Sequence, residues 1–158
     1  MPFSASIQVR LQHQHETLPE LVQECTEEQL KQPVIAGKWS AFEQVVHLVT
    51  YQPVFLQRIQ KTETGVNPAF ERYVADNDPA FSESCNKTLT GLLQQLEMQR
   101  NTIIRHLFSI PENKLRYTAR HPIYGEMAIT GWTEFFLLHE AHHLFNIFML
   151  VHRLRAKP

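Results

Sequence analysis

The spacing of apolar positions is helical along most of the chain. Apolar residues recur every three or four positions and alternating β-branched stretches are scarce, so the pattern predicts α-helices joined by polar connections. The first helical region runs from about Ser4 to about Gln29. Pro19 interrupts this region, and Thr17 with Glu20 has the spacing of a capping box. We therefore expect the first helix to kink or restart there.

A second helix is predicted after the linker 33–37. Ser40 is its expected N-cap, with Glu43 as the capping-box partner three residues later. Apolar spacing continues to about Lys61, and Pro53 either kinks this helix or is accommodated by its neighbours. Residues 62–79 are polar and mixed in character, with a helical turn expected at about 69–74.

The third and fourth helices follow from the same periodicity. Ser82 or Ser84 is the expected cap of the third helix, whose leucines and isoleucines continue to Leu107. Residues 111–129 form a connection, and Thr130 is the expected cap of the last helix, which runs to about Arg155. Four main helices predict an all-α fold, a four-helix bundle in a single domain spanning residues 1–158.

Composition narrows the classes of function. The chain has 43% apolar and 20% charged residues and a net charge of −1, so it lacks the basic surface that would favour a nucleic-acid or anionic-membrane partner. Two cysteines, Cys25 and Cys85, are too few for a disulfide framework and favour a reducing compartment. The first residues lack the apolar core of a signal peptide, so we expect a cytoplasmic protein.

The most apolar stretch, 132–151, is predicted to be a core helix and not a membrane span. A span would have to bury several polar side chains, at a cost of several kcal/mol in total. Those side chains are Glu134, His139, Glu140, His142, His143 and Asn146. Because the chain has nine histidines, their placement becomes the next question.

His139 and His143 are four residues apart and share one face of the last helix. Apolar residues continue that face in both directions, so both imidazoles are predicted to point into the bundle, where unpaired polar groups are costly. One divalent metal ion would satisfy both rings. The alternative is a pair of core histidines bonded to the backbone or to each other.

A third metal ligand has to come from upstream. His139-Glu140-x-x-His143 matches the zinc-protease pattern, but Asn146 and Met149 stand where the extended form of that pattern needs glycine and histidine. His47, in an apolar stretch of the second helix, is the best candidate, with a satisfied core histidine as its alternative reading. Glu43, one turn earlier, can accept the free ring N–H of His47 or act only as a cap.

The remaining polar candidates have weaker roles. His142 can replace His143, although neighbouring apolar residues suggest that its side of the helix packs against something else. Glu140 can serve as general base or be a surface carboxylate, and His121 lies in a loop that can close over the site. Surface roles are expected for the other histidines, which are His13, His15, His106 and His152.

The sequence resembles the DinB-like superfamily. Gly37-Lys38-Trp39-Ser40-Ala41-Phe42-Glu43 followed by His47-Leu48 looks like one signature of that family. His121-Pro122-x-x-Gly125 followed by His139-Glu140-x-His142-His143-Leu144 is similar to another. The layout of 18–30 also matches, and Asn146 departs from a frequent glutamine.

The resemblance implies a DinB/YfiT-like bundle with down-up-up-down topology, often as a homodimer. It also implies one divalent metal ion (zinc, nickel or iron) held by His47, His139 and His143. Relatives include metal-dependent hydrolases, low-molecular-weight-thiol S-transferases and thiol-dependent isomerases. The leading hypothesis is therefore an enzyme that hydrolyses a small-molecule substrate or transfers a thiol to it. A non-catalytic metal-binding or stress-related protein and a metal-free helical interaction module are the alternatives.

Overall fold

The computed structural model describes residues 3–156 and is built mainly from helices. We number its helices and strands in chain order, and three short 3₁₀ turns lie between them at Gln14–Glu16, Ala75–Asn77 and Glu112–Lys114. The helices are α1 Ala5–His13, α2 Thr17–Val22, α3 Glu27–Leu30, α4 Ala41–Thr62, α5 Pro79–Ser84, α6 Leu89–Ser109 and α7 Ile129–Arg155. The two strands are β1 Thr118–His121 and β2 Gly125–Ala128. No helix within residues 3–156 is long and apolar enough to cross a membrane.

The bundle is formed by α1 continued through α2, and by α4, α6 and α7. Pairs of contacting residues give the directions of these helices. Tyr51 stacks on Phe136 while His47 meets His143, so α4 and α7 run antiparallel.

The other helix pairs complete the topology. The side chain of Gln52 contacts Arg100, and Glu63 contacts His106, so α4 and α6 run parallel. Arg10 pairs with Glu134, and Gln14 bonds to the Leu137 carbonyl, so α1 and α7 also run parallel. The predicted all-α bundle with down-up-up-down order is confirmed.

Helix α4 follows the sequence prediction closely. Ser40 Oγ accepts the Glu43 backbone N–H, and a Glu43 carboxylate oxygen accepts the Ser40 backbone N–H at 2.7 Å, which forms the expected capping box. The helix continues through Pro53 to Thr62 without interruption. Buried side chains cover most of its first three turns, so this end of α4 lies within the core.

Several other predicted helix boundaries are wrong. The first helical region does restart at Thr17, as expected, but it does so through a 3₁₀ turn and not through a capping box of Thr17 and Glu20. Neither Ser82 nor Ser84 caps the third helix, since both belong to the short helix α5, and Thr88 caps α6. Thr130 does not cap α7 either, since that helix already begins at Ile129 without a side-chain cap.

Both long connections also differ from their predictions. The expected helical turn at 69–74 is absent, because Ala69 bridges to Arg120 and the 3₁₀ turn comes only after Val74. Strands β1 and β2 form an antiparallel hairpin in the region predicted as an irregular connection. Gly125, which follows the hairpin turn, has φ +76°, a conformation that favours glycine.

A buried ion pair crosses the core. The guanidinium of Arg100, fully buried on α6, donates to the carboxylate of Glu140, which is also fully buried on α7. Arg100 also donates to the Leu11 carbonyl and contacts Nδ1 of His15, whose Nε2 bonds to Glu97 at 2.9 Å. His15 is therefore buried, and the predicted surface role for it is wrong.

Breaking this buried pair should destabilise the protein strongly. Glu140→Leu leaves the Arg100 charge buried without a counter-ion, so we expect a loss of about 3–5 kcal/mol in the free energy of unfolding, measured by urea denaturation. Removing both charges in Arg100→Leu/Glu140→Leu should cost less than Glu140→Leu alone. The matched control is Glu24→Leu, which removes a half-exposed carboxylate paired with Arg155 and should cost less than about 1 kcal/mol. Equal losses for Glu140→Leu and Glu24→Leu would contradict the prediction.

Candidate metal centre

Three imidazoles meet where α4 crosses α7. Nε2 of His139 lies 3.2 Å from Nε2 of His47 and 3.2 Å from Nε2 of His143. A candidate ligand nitrogen from each of the three histidines lies within 4.8 Å of the others. For tetrahedral bonds of roughly 2.0–2.1 Å, two nitrogens on one zinc ion would lie about 3.3 Å apart. The cluster therefore has the dimensions of a zinc-type site.

Hydrogen bonding alone cannot satisfy this cluster. Gln44 Oε1 accepts from Nδ1 of His143 at 2.6 Å, which leaves His143 Nε2 as an unprotonated acceptor. His139 Nε2 either carries a proton or does not, so it can form a good hydrogen bond with only one of its two neighbours. The other contact then joins two lone pairs or two N–H groups, or at best shares a single N–H between two acceptors. A cation at the centre would remove this conflict.

Two of the ring nitrogens that face away from the cluster lack a hydrogen-bond partner among the described residues. Nδ1 of His47 and Nδ1 of His139 are buried and have no hydrogen-bond partner within residues 3–156. Glu43 does not provide one, because its carboxylate belongs to the capping box of α4. The structure thus gives Glu43 the capping role alone, and Gln44 is the side chain that orients the His143 imidazole.

Burial keeps all three rings neutral. The pKa of each of His47, His139 and His143 is lowered to about 3, mainly because burial penalises the charged imidazolium. Positive charge on neighbouring histidines lowers these pKa values further, and Arg58 contributes at His139. Neutral imidazoles hold an unprotonated nitrogen ready for a metal ion at neutral pH.

A cavity of about 370 Å³ opens onto the three histidines. Its walls are mainly aromatic: the Trp39 ring lies 5.1 Å from the His47 ring, and the Tyr51 ring lies 4.5 Å from the His139 ring. Trp39 Nε1 donates to Asp76 at 3.0 Å. The volume suits a small organic molecule. The other lining residues are Arg58, Arg72, Tyr73, Val74, Ala75, His121, Ile123, Tyr124 and Phe135.

Glu140 is not part of this cavity. It lies on a different face of α7, in the buried pair with Arg100, and Gln14 donates to its second oxygen at 2.8 Å. The interpretation of Glu140 as a general base is therefore wrong, as is the alternative of a surface carboxylate. The residue after His139 points about 100° around the helix, which carries it into the α1–α6 side of the core.

The two other histidines considered for the site, His142 and His121, lie outside the cluster. His142 is exposed, and its Nε2 accepts from the Asn146 amide, so it does not replace His143. Leu138, Phe145 and Met149 on that side of α7 are exposed in the single chain. His121 lines the cavity from β1 and lies outside the cluster. Its Nδ1 accepts the backbone N–H groups of the hairpin turn at 3.1 and 3.2 Å.

The sequence reading missed several residues of the cavity. Tyr51 and Arg58 follow His47 by one turn and by three turns on the same face of α4, a spacing that was available in the sequence. Gln44 was also visible, as a polar residue one turn before His47 in an apolar stretch. Trp39 and Tyr73 lie in connections, where periodicity gives no signal.

Comparisons with known proteins agree with this architecture. A family model described as the DinB superfamily matches residues 10–145. The chain belongs to this superfamily. An uncharacterized protein of Bacillus subtilis, YuaE, is 25% identical over 131 residues, which cover 75% of this chain and 81% of YuaE.

Solved structures show the same fold at lower identity. YfiT from Bacillus subtilis, described as a probable metal-dependent hydrolase with an unusual four-helix bundle topology, superposes with a TM-score of 0.79 at 19% identity. The match covers 95% of this chain and 86% of YfiT. The DinB-like protein YjoA from Bacillus subtilis gives a TM-score of 0.65 at 16% identity, covering 96% of this chain and 93% of YjoA. At these identities the likeness concerns the fold.

Gln44 should be needed for full metal affinity. Gln44→Met removes the acceptor that orients His143, so we expect zinc affinity to fall by about 10–100-fold, measured by competition with a chromophoric chelator. Gln44→Glu keeps an acceptor and should bind zinc at least as well as Gln44→Met. Gln99→Met on α6, which contributes no residue to the cavity, is the matched control and should leave affinity unchanged. A normal affinity in Gln44→Met would show that His143 needs no such support.

Proposed function

We propose that this protein is a divalent-metal enzyme that acts on a small molecule bound in the aromatic cavity. The observation that carries the proposal is the convergence of three neutral imidazole nitrogens at one wall of an open cavity. His47, His139 and His143 would hold the ion. Three protein ligands are typical of catalytic zinc sites, which keep a further position for water or substrate, whereas structural sites use four.

The bound ion would lower the pKa of a water or thiol at that open position and so supply a nucleophile near neutral pH. The chain's own residues would do the rest. Trp39, Tyr51 and Tyr73 surround the cluster and would exclude water from the reacting groups. Gln44 would hold the His143 ring in the tautomer that directs Nε2 to the cluster.

Two reactions fit this site, hydrolysis and thiol transfer. The description of YfiT supports hydrolysis. The scarcity of carboxylates favours thiol transfer. Asp76 is the only carboxylate among the cavity's described lining residues, and it accepts a hydrogen bond from Trp39. Metal-dependent hydrolases often add a carboxylate general base to their ion, as in the H-E-x-x-H pattern, whereas transfer of a thiolate needs no such base. We therefore place S-transfer from a low-molecular-weight thiol first and hydrolysis second.

Metal content tests the site. We expect one zinc, nickel or iron ion per chain in the purified protein, measured by elemental analysis. His47→Ala and His143→Ala should lose most of it because each removes one of three ligands. His142→Ala is the matched control, since it removes an exposed histidine on the same turn, and its metal content should remain normal. Equal metal content in all four proteins would refute the site.

Turnover tests the reaction. Metal-loaded protein should conjugate a thiol to an electrophile such as 1-chloro-2,4-dinitrobenzene, or hydrolyse a p-nitrophenyl ester, and His47→Ala should do neither above background. Activity that requires the thiol assigns S-transfer. If metal-loaded protein catalyses neither reaction and anomalous scattering shows His121 closing the coordination sphere, the non-catalytic alternative replaces this proposal.

A further inference from the structure

A second arginine is buried beside the histidine cluster, and it lacks a carboxylate partner. Arg58 on α4 is only 8% exposed and lines the cavity. Its Nη1 contacts the Tyr51 hydroxyl at 3.4 Å and its Nη2 donates to the Glu71 carbonyl at 2.9 Å. The guanidinium also lies over the rings of Phe70 and Trp132. All of these partners are neutral.

The contrast with Arg100 gives this observation its weight. Arg100 is fully buried, serves the core and is paired with Glu140. Arg10 and Arg155 also form ion pairs with glutamates. Within residues 3–156, Arg58 forms no ion pair with a carboxylate. A buried charge without a counter-ion is costly, and the cost is recovered if a ligand brings the missing anion.

Arg58 and the histidine cluster line the same cavity. His47, Tyr51 and Arg58 follow one another on the same face of α4, and the Tyr51 ring separates the His139 ring from the Arg58 guanidinium. An eleven-residue separation on a helix corresponds to about 16 Å between the Cα atoms of His47 and Arg58. The guanidinium reaches back to the Tyr51 hydroxyl, so a ligand that contacted both ends would have to span the Tyr51 ring.

The charge of the cavity agrees with an anionic ligand. Arg58 and Arg72 line it, and Asp76 is the only carboxylate among its described lining residues. Two arginines against one aspartate give this lining an excess of positive charge. The aromatic walls between the arginines and the histidines suit an apolar or aromatic body.

We infer that Arg58 is the anchor for a carboxylate group of the ligand that occupies this cavity, and so a specificity-determining residue. Two of the five guanidinium N–H groups are used by neutral acceptors, which leaves up to three for a single monoanion. A carboxylate matches one charge and a planar pair of donors. The inference deepens the proposed function, because it names the class of molecule that the same cavity accepts.

Binding of matched probes tests the inference without requiring turnover. Zinc-loaded wild-type protein is titrated with 4-phenylbutyrate and with its neutral analogue 4-phenylbutyramide in a calorimeter. Wild type should prefer the carboxylate, and Arg58→Gln should reduce that preference by about tenfold, as expected for loss of a charged hydrogen bond at a buried site. Any preference due to zinc is common to all variants, so the change in preference isolates Arg58.

Two further variants sharpen the comparison. Arg105→Gln removes an exposed arginine on α6, outside the cavity, and should keep the wild-type preference. Arg58→Lys keeps the charge but loses the planar fork, so its preference should fall between wild type and Arg58→Gln. If Arg58→Gln fails to fold, the comparison between Arg58→Lys and wild type decides, and an undiminished preference in Arg58→Lys overturns the inference.

A second probe pair assigns the carboxylate to one of its two sources. The anion can belong to the molecule that is modified or to the thiol, so 6-mercaptohexanoate and 6-mercaptohexanol are titrated in the same way. Dependence on Arg58 for the thiol pair alone assigns the carboxylate to the thiol, and dependence for the phenyl pair alone assigns it to the other reactant.

Two further results overturn the inference. The first is a wild-type protein that binds carboxylate and neutral probes equally. The second is an Arg58→Gln variant that weakens both members of each pair equally, because Arg58 would then act only by holding the segment around Glu71. Metal content is measured for every variant, so a loss of the metal site is distinguished from a loss of the anion site.

Discussion

The organisation of this protein depends on three imidazoles that converge in a core where hydrogen bonds cannot satisfy them all. Their Nε2 atoms lie 3.2 Å apart in two contacts that share His139, so at most one of the contacts can be a good hydrogen bond. The antiparallel crossing of α4 and α7 creates this arrangement. Most side chains around His47 on α4 are buried, so its ring meets His139 inside the core. The site is thus a consequence of bundle packing.

Between residues 3 and 156, the bundle holds two buried arginines with different partners. On one side, Arg100 and Glu140 neutralise each other and tie α6 to α7. On the other, Arg58 has only neutral partners and faces the cavity. The two arginines have similar burial and opposite electrostatic environments. Burial alone therefore does not distinguish a structural arginine from one available to a ligand, whereas the absence of a counter-ion among the described residues does.

The sequence predicted those features that depend on helical periodicity. His139 and His143 were assigned to one face because four residues make about one turn, and the capping residues of α4 followed from a local motif. The prediction for Glu140 is wrong because helical periodicity gives the direction of a side chain but does not show which charged residue of another helix it will meet. Its partner Arg100 lies forty positions away on α6. The hairpin β1–β2 was missed because its eight strand residues carry too weak an alternation to register as strands.

Those missed segments supply much of what shapes the cavity. Tyr73 and Arg72 come from the connection between α4 and α5, and His121 and Tyr124 come from the hairpin. The histidine cluster, by contrast, is carried entirely by helices. A bundle can therefore hold its metal-binding face constant while the connections change the mouth of the cavity. Arg58, like Tyr51, lies on α4 itself. Its hydrogen bond to the Glu71 carbonyl links the helix to the connection, so the proposed anion anchor and the mouth of the cavity are positioned together.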